Sequence, residues 1–186
     1  MTFIAKDGTP AILRALQRTD LDGLLKFVNT IVKEKKTNPR LGIIAFDKRF
    51  RKSDEKKYLN KILLGVRKNE TVSVAALVGN RIVGHCEISR RKSAEERHAG
   101  YFGIVILDGY REKGIGQMMV KTALEEASRI GVWLVELHVF AFNPMAIHVY
   151  EKCGFRRAGV VPKKFLRDGK FADEILMYRD GRVLSG

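Results

Sequence analysis

The chain has 186 residues, 45% apolar and 30% charged, which excludes a disordered or fibrous protein and suffices for one domain that buries its own core. The 35 Lys and Arg outnumber the 21 Asp and Glu by 14, so the expected partner is anionic: nucleic acid, an acidic membrane surface or a phosphorylated small molecule. Cys86 and Cys153 stand at no metal or redox spacing, which excludes a disulfide scaffold and a structural zinc site.

Residues 1–10 read as a lead-in, and Ala11–Leu16 as a first strand. The start Met1–Gly8 lacks the cationic and apolar regions of a signal peptide. No run of about 18 apolar residues follows, so a cytoplasmic protein with no membrane segment is expected. Thr19-Asp20 caps a helix whose apolar stripe is Leu21, Leu24, Leu25, Val28 and Val32. Residues 33–57 hold ten Lys or Arg and four acids, with Asn38-Pro39 and Gly42 as breakers, and read as a mobile basic segment. A second helix opens at Ser53-Asp54 and runs through Tyr58, Ile62 and Leu63 to about Arg67.

Thr71–Val78 and Arg81–Ser89 form a hairpin turning at Gly79-Asn80. After a charged loop come a strand at Gly100–Leu107 and an amphipathic helix at Gly116–Ile130, which ends at Gly131. Leu134–Phe140 is a strand, and Asn143-Pro144 opens a helix through Tyr150 to Cys153. The last strands are Phe155–Val161 and Phe171–Tyr178, around Arg167-Asp168-Gly169. The order predicts an α/β (mixed α+β) domain over 11–180 with helices on both sheet faces, a lead-in at 1–10 and a tail at 181–186.

The strongest local signal runs from Phe102 to Gly116. A strand enters a short loop with glycines, and the loop opens a helix. Amides at a helix start lack partners and the dipole adds positive character, so the loop reads as a phosphate or pyrophosphate cradle to which Arg111 and Lys113 add charge. The spacing is neither a Walker loop nor a dinucleotide fingerprint. Taken alone, it also fits a glycine-rich turn with a helix cap.

Arg111-x-x-Gly114-x-Gly116, followed by Asn143-x-x-Ala146-x-x-x-Tyr150-x-x-x-Gly154-Phe155, resembles the GNAT superfamily of acetyl-CoA-dependent N-acetyltransferases, among them the protein N-terminal acetyltransferases that modify ribosomal proteins. The resemblance covers residues 11–178 and is specific over 98–161. It implies a single GNAT-like domain with a mixed, mostly antiparallel sheet of about seven strands and a central splayed parallel pair. It implies that Ile104, Val105 and Ile106 pair with the pantetheine arm. The pyrophosphate would then rest on the amides of Arg111, Glu112, Lys113, Gly114, Ile115 and Gly116. Asn143 would contact the coenzyme, and Tyr150 would protonate the departing sulfur.

Periodicity gives a second reading. Alternation puts Leu134, Glu136, His138 and Phe140 on one face of a strand that should be apolar on both. Acetyl transfer needs a free amine, hence a base. His138 is the first choice, with Glu136 orienting or replacing it and Glu87 or a water chain as the other candidates for the base, and some family members carry His or Glu at the position of His138. Each residue also has a structural reading: His138 as a hydrogen-bonded strand residue, Tyr150 as a core aromatic, and Glu87, near His85, as a surface carboxylate. Cys153 as an acyl carrier lacks a paired base. His98 and His148 take no role, and no metal is called for.

Phe46, Phe50 and Tyr58, interleaved with the basic segment, suit stacking on nucleic acid or packing on the core. A basic acceptor loop disfavours a polyamine. Lys163, Lys164, Arg167 and Asp168 are placed at the entrance. The expected function is transfer of acetyl from acetyl-CoA to a primary amine: a protein N-terminus, a lysine or a small molecule. A nucleic-acid-binding module would leave both motifs unused, and an inactive acetyl-CoA sensor would keep the fold. Monomer and homodimer stay open.

Overall fold

The alternation of strand-like and helix-like periodicity becomes one sheet with two helical layers in the computed structural model, which describes residues 1–38, 41–43 and 46–182. The strands are β1 (Thr2–Ile4), β2 (Pro10–Arg14), β3 (Thr71–Val78), β4 (Arg81–Arg90), β5 (Ala99–Ile106), β6 (Leu134–Phe140), β7 (Arg156–Arg167) and β8 (Lys170–Asp180). The helices are α1 (Leu21–Thr37), α2 (Lys52–Arg67), α3 (Ile115–Arg129) and α4 (Pro144–Lys152). The sheet order is β1-β2-β3-β4-β5-β6-β8-β7. Of these neighbours only β5 and β6 run parallel.

The eight strands exceed the expected seven by β1, which lies in the segment read as a lead-in. Thr2 pairs with Ile12, and the Met1 amine donates to the Leu13 carbonyl at 2.8 Å. β2 ends at Arg14, whose guanidinium grips Asp20 with two hydrogen bonds of 2.7 Å. The basic segment is shorter than expected, since α1 continues to Thr37 and α2 starts at Lys52. Its Pro39 and Arg40, like tail residues 183–186, lie outside the described residues. The β7–β8 hairpin is longer than expected, with Asp168 and Gly169 in left-handed conformation at its turn.

Alternation along the strands divides the core. Val74, Cys86, Phe102, Val135, Leu137 and Met177 face α3 and α4, packing on Met119, Val120, Ala123, Ile147 and Tyr150. On the other face Ala75, Leu77, Ile82 and Leu107 meet Leu24, Phe27, Ile31, Leu59 and Ile62 of α1 and α2. Each Val, Leu, Ile, Phe or Met among them contributes roughly 2 kcal/mol of burial free energy, so both helical layers are fixed to the sheet. Phe46, Phe50 and Tyr58 pack against this second cluster, the core alternative for those aromatics. Among the described residues, no helix is long and apolar enough to cross a membrane.

The parallel pair parts early. Its ladder consists of Ala99 with Leu134, Gly100 with Val135 and Tyr101 with Glu136. Beyond that, β5 stays on β4 as far as Ile106 opposite Gly84, and β6 stays on β8 as far as Phe140 opposite Glu174. Each diverging strand keeps its outer neighbour, so the fold tolerates an open inner edge of unpaired backbone groups between them.

Candidate functional site

The loop after β5 follows Ile106, at the end of the strand where the two have parted, and so borders the open end of this wedge. Leu107 donates its amide to Val83, and Tyr110 donates to Leu107. Gly109, Glu112 and Gly114 all take positive φ, which turns the backbone so that its amides face outward. From Arg111 to Gln117 no amide donates a backbone hydrogen bond among the described residues; Met118, bonded to the Gly114 carbonyl, is the first that does. A Cβ on Gly116 would come 3.0 Å from Cδ1 of Ile106, so the helix start lies tight on the end of β5.

The two full charges expected to serve this cradle are engaged elsewhere. Arg111 donates from Nε and Nη2 to the Ile106 carbonyl at 3.0 and 2.7 Å, and its Nη1 pairs with Glu34 of α1 at 2.5 Å. Glu34 also accepts from the Asp108 amide at 3.3 Å. Lys113 pairs with Asp7 at 2.8 Å, and its carbonyl accepts from the Lys6 amide. Arg111 and Lys113 thus brace the loop, and the outward-facing groups are the amides.

Across the wedge, Glu136 and His138 sit half-buried on one face of β6, as alternation places them, while Val135, Leu137 and Val139 are buried on the other. Their partners differ from the expectation. Glu136 is held by Arg91 at 2.6 Å and does not orient His138. The carboxylate that meets His138 is Glu174 of β8, with Oε1 3.1 Å from Nδ1. Glu174 is 3% exposed, and it shares the face of His138 because it pairs with Phe140. Tyr101 stands edge-on to the imidazole at 5.3 Å between centroids. The sequence carries a partial signal for Glu174, the second of the adjacent acids Asp173-Glu174 before the apolar Ile175-Leu176-Met177, but Arg91 comes from a charged loop with none.

On β4 the same face carries Glu87, which accepts from the Tyr58 hydroxyl at 2.8 Å. Burial and the nearby Glu87 charge push that phenol far above its usual range. His85, beside it, is buried against the Ser73 hydroxyl at 2.9 Å, and burial lowers its pKa to about 4, so it is neutral in the core.

α4 enters with Asn143 as its cap, the side-chain oxygen accepting from the Ala146 amide at 3.2 Å, and Pro144 in the first turn. The cap touches the α1–α2 connection, because a Cβ on Gly42 would collide with the Asn143 amide nitrogen. Tyr150 lies two turns on, 8% exposed, its ring edge-on to Phe102 and tilted against Phe155. Burial raises its phenol above the ordinary value. Cys153 is buried one turn beyond, and burial raises its thiol as well; Cys86 and Cys153 are both free. The wide mouth is walled by the hairpin tip. Arg167 donates to the carbonyls of Leu41 and Ile43 at 2.6 and 2.7 Å and lies 4.8 Å from the Phe140 ring centroid, while Lys163 and Lys164 are exposed nearby.

Residues 40–155 match the acetyltransferase (GNAT) family. Over 110 residues the chain is 30% identical to the L-amino acid N-acetyltransferase AaaT of Escherichia coli (strain K12), covering 57% of this chain and 66% of that protein. The chain spans less than two thirds of the length of the curated relatives it matches. An acetyltransferase of the GNAT family from Streptococcus pneumoniae superposes with a TM-score of 0.79 at 24% identity, covering 91% of this chain and 98% of that one. A phosphinothricin acetyltransferase from Sinorhizobium meliloti in complex with acetyl-CoA superposes at 0.75 and 18% identity, covering 91% and 88%.

Proposed function

The chain belongs to the acetyltransferase (GNAT) family, and from that premise we propose that it transfers the acetyl group of acetyl-CoA directly to a primary amine within a ternary complex. The observation that carries this reading is the parting of β5 from β6 beside the unbonded amides of Arg111 to Gln117. When bound, acetyl-CoA supplies the activated acetyl thioester. A diphosphate suits the amides of Arg111–Gly116 and the positive end of α3. The open inner edge of β5 at Ile104, Val105 and Ile106 offers a strand to an amide-bearing arm, as an added strand would find at a sheet edge.

An alkyl amine with a pKa near 10.4, or an α-amine near 8, arrives largely protonated. His138 accepts that proton in this reading. Its Nδ1 faces Glu174, which fixes Nε2 as the acceptor. Glu87, aimed by Tyr58 on the same face, is the alternative base. A thiolate leaving group has a pKa near 8.5, whereas burial holds the Tyr150 phenol higher, so Tyr150 keeps its proton and stabilises the departing sulfur by donating a hydrogen bond. Asn143 caps the helix that aims Tyr150. The rate gain comes mainly from holding amine and thioester in line.

The positive mouth formed by Arg167, Lys163 and Lys164 favours an amine flanked by carboxylate or phosphate over a polyamine. The E. coli relative is named for L-amino acids, which are amines of this kind. The test is acetyl-CoA-dependent thiol release over a panel of amino acids, peptide N-termini, lysine peptides and polyamines. Release above the acceptor-free rate with an amino acid or peptide is expected; no release with any amine would sink the proposal.

A further inference from the structure

A second concavity, of about 350 Å³, opens between the later turns of α3, the start of β6 and the ends of α4 and β8. It lies away from the wedge. The loop 111–116 precedes α3 and Trp133 follows it, and the helix's 15 residues separate them by roughly 20 Å. The walls carry three cations, Lys121, Lys152 and Arg179, against one acid, Glu125. Among the described residues none of these three cations joins an ion pair, whereas Arg111, Arg129, Arg157 and Arg182 each have a carboxylate partner.

Arg179 is seated deliberately. Gly154, at φ +87, and Gly181 flank it, and a Cβ on either would stand 3.4 Å from its Nε or 3.0 Å from its Nη1. The floor is aliphatic and includes Cys153, whose thiol is drawn down by Lys121 and Arg179 against the larger upward push of burial, so both cations act over the floor. One wall is Trp133, stacked by His98 at 4.3 Å and lying under Arg182 at 3.9 Å. Unpaired cations above an aliphatic floor with an indole wall match an anion with an apolar body, and the volume falls at the small end of ligand pockets, about 300–1,000 Å³.

We propose that this concavity binds a small organic anion, a carboxylate or phosphate ester on an apolar or aromatic body, at a site separate from the wedge.

Trp133 is the chain's single tryptophan, so its fluorescence reports on this site directly. Titration of the full chain with phenyl phosphate and with phenylacetate is expected to give a saturable change with at least one, and benzyl alcohol none; which anion binds tighter names the headgroup. Lys121→Gln and Arg179→Gln should each weaken the tighter probe by about fivefold or more, while prior saturation with acetyl-CoA should leave it within about twofold. Lys121 is exposed, so its variant tests the site even if Arg179→Gln fails to fold. No saturable change with either anion, an equal response to benzyl alcohol, or undiminished affinity in Lys121→Gln would overturn the assignment. The titration needs no turnover, so its failure leaves the acetyl-transfer reading untouched.

Discussion

Glu174 reaches across from β8 to place its Oε1 3.1 Å from Nδ1 of His138, and the sheet buries this carboxylate almost completely. A carboxylate in that position holds the imidazole in one tautomer and one orientation. Glu174 is therefore a positioning residue for the proposed base. Glu174→Gln is expected to lower kcat by roughly tenfold to a hundredfold with little change in KM for acetyl-CoA. A double-mutant cycle checks the coupling: in a His138→Ala background the same substitution should cost almost nothing further. Additive losses would assign Glu174 a purely structural role.

Tyr150→Phe removes one oxygen and keeps the ring against Phe102 and Phe155. The melting temperature should stay within a few degrees, and kcat should fall by roughly 10²-fold. Steady-state thiol release alongside a thermal melt separates the two effects. A variant with full turnover removes the hydroxyl from the mechanism.

Arg111 offers a test of bracing against charge. Its guanidinium bridges the Ile106 carbonyl and Glu34, a fork geometry that an ammonium cannot reproduce. Arg111→Lys should therefore raise KM for acetyl-CoA nearly as much as Arg111→Ala, by about tenfold. Retained affinity in the Lys variant would mean that the charge itself grips the phosphate.

Glu55 of α2 is 2% exposed, and one of its carboxylate oxygens has no partner among the described residues. Burial, with a smaller push from Asp54, raises its pKa to about 7. The folded state therefore binds this proton more tightly than the unfolded chain does. The associated stability is complete below the unfolded value near 4.3 and is lost as pH rises through about 7, an effect of roughly 3 kcal/mol. Denaturant midpoints of Glu55→Gln should exceed those of the parent chain at pH 8 and converge with them at pH 5. Parallel curves at both pH values would refute the assignment.

Much of the placement of the candidate site's residues could be read from the chain because its signals are local. β6 alternates in burial from Leu134 to Val139, and Glu136 and His138 stand out by breaking the apolar rule for an interior strand. Gly114, at φ +83, and Gly116, where a side chain would crowd Ile106, mark the helix start. What stayed hidden depends on distant partners. Nothing near Arg111 announces that α1 will supply Glu34, and nothing near Glu136 announces that Arg91 will claim it before His138. β1 escaped notice because three residues carry little periodicity, and their place is set by pairing with β2.

Arg167 ties the tip of the last hairpin to the Leu41 and Ile43 carbonyls, 126 and 124 residues upstream. Two portions of the rim that are remote in the chain thus share one fastener. Neither can drift outward without pulling on the other, so the opening between them, the entrance in the proposed reading, widens or narrows as a unit. Substitutions along either portion should therefore alter selectivity together, even where the altered side chain never meets the molecule being selected.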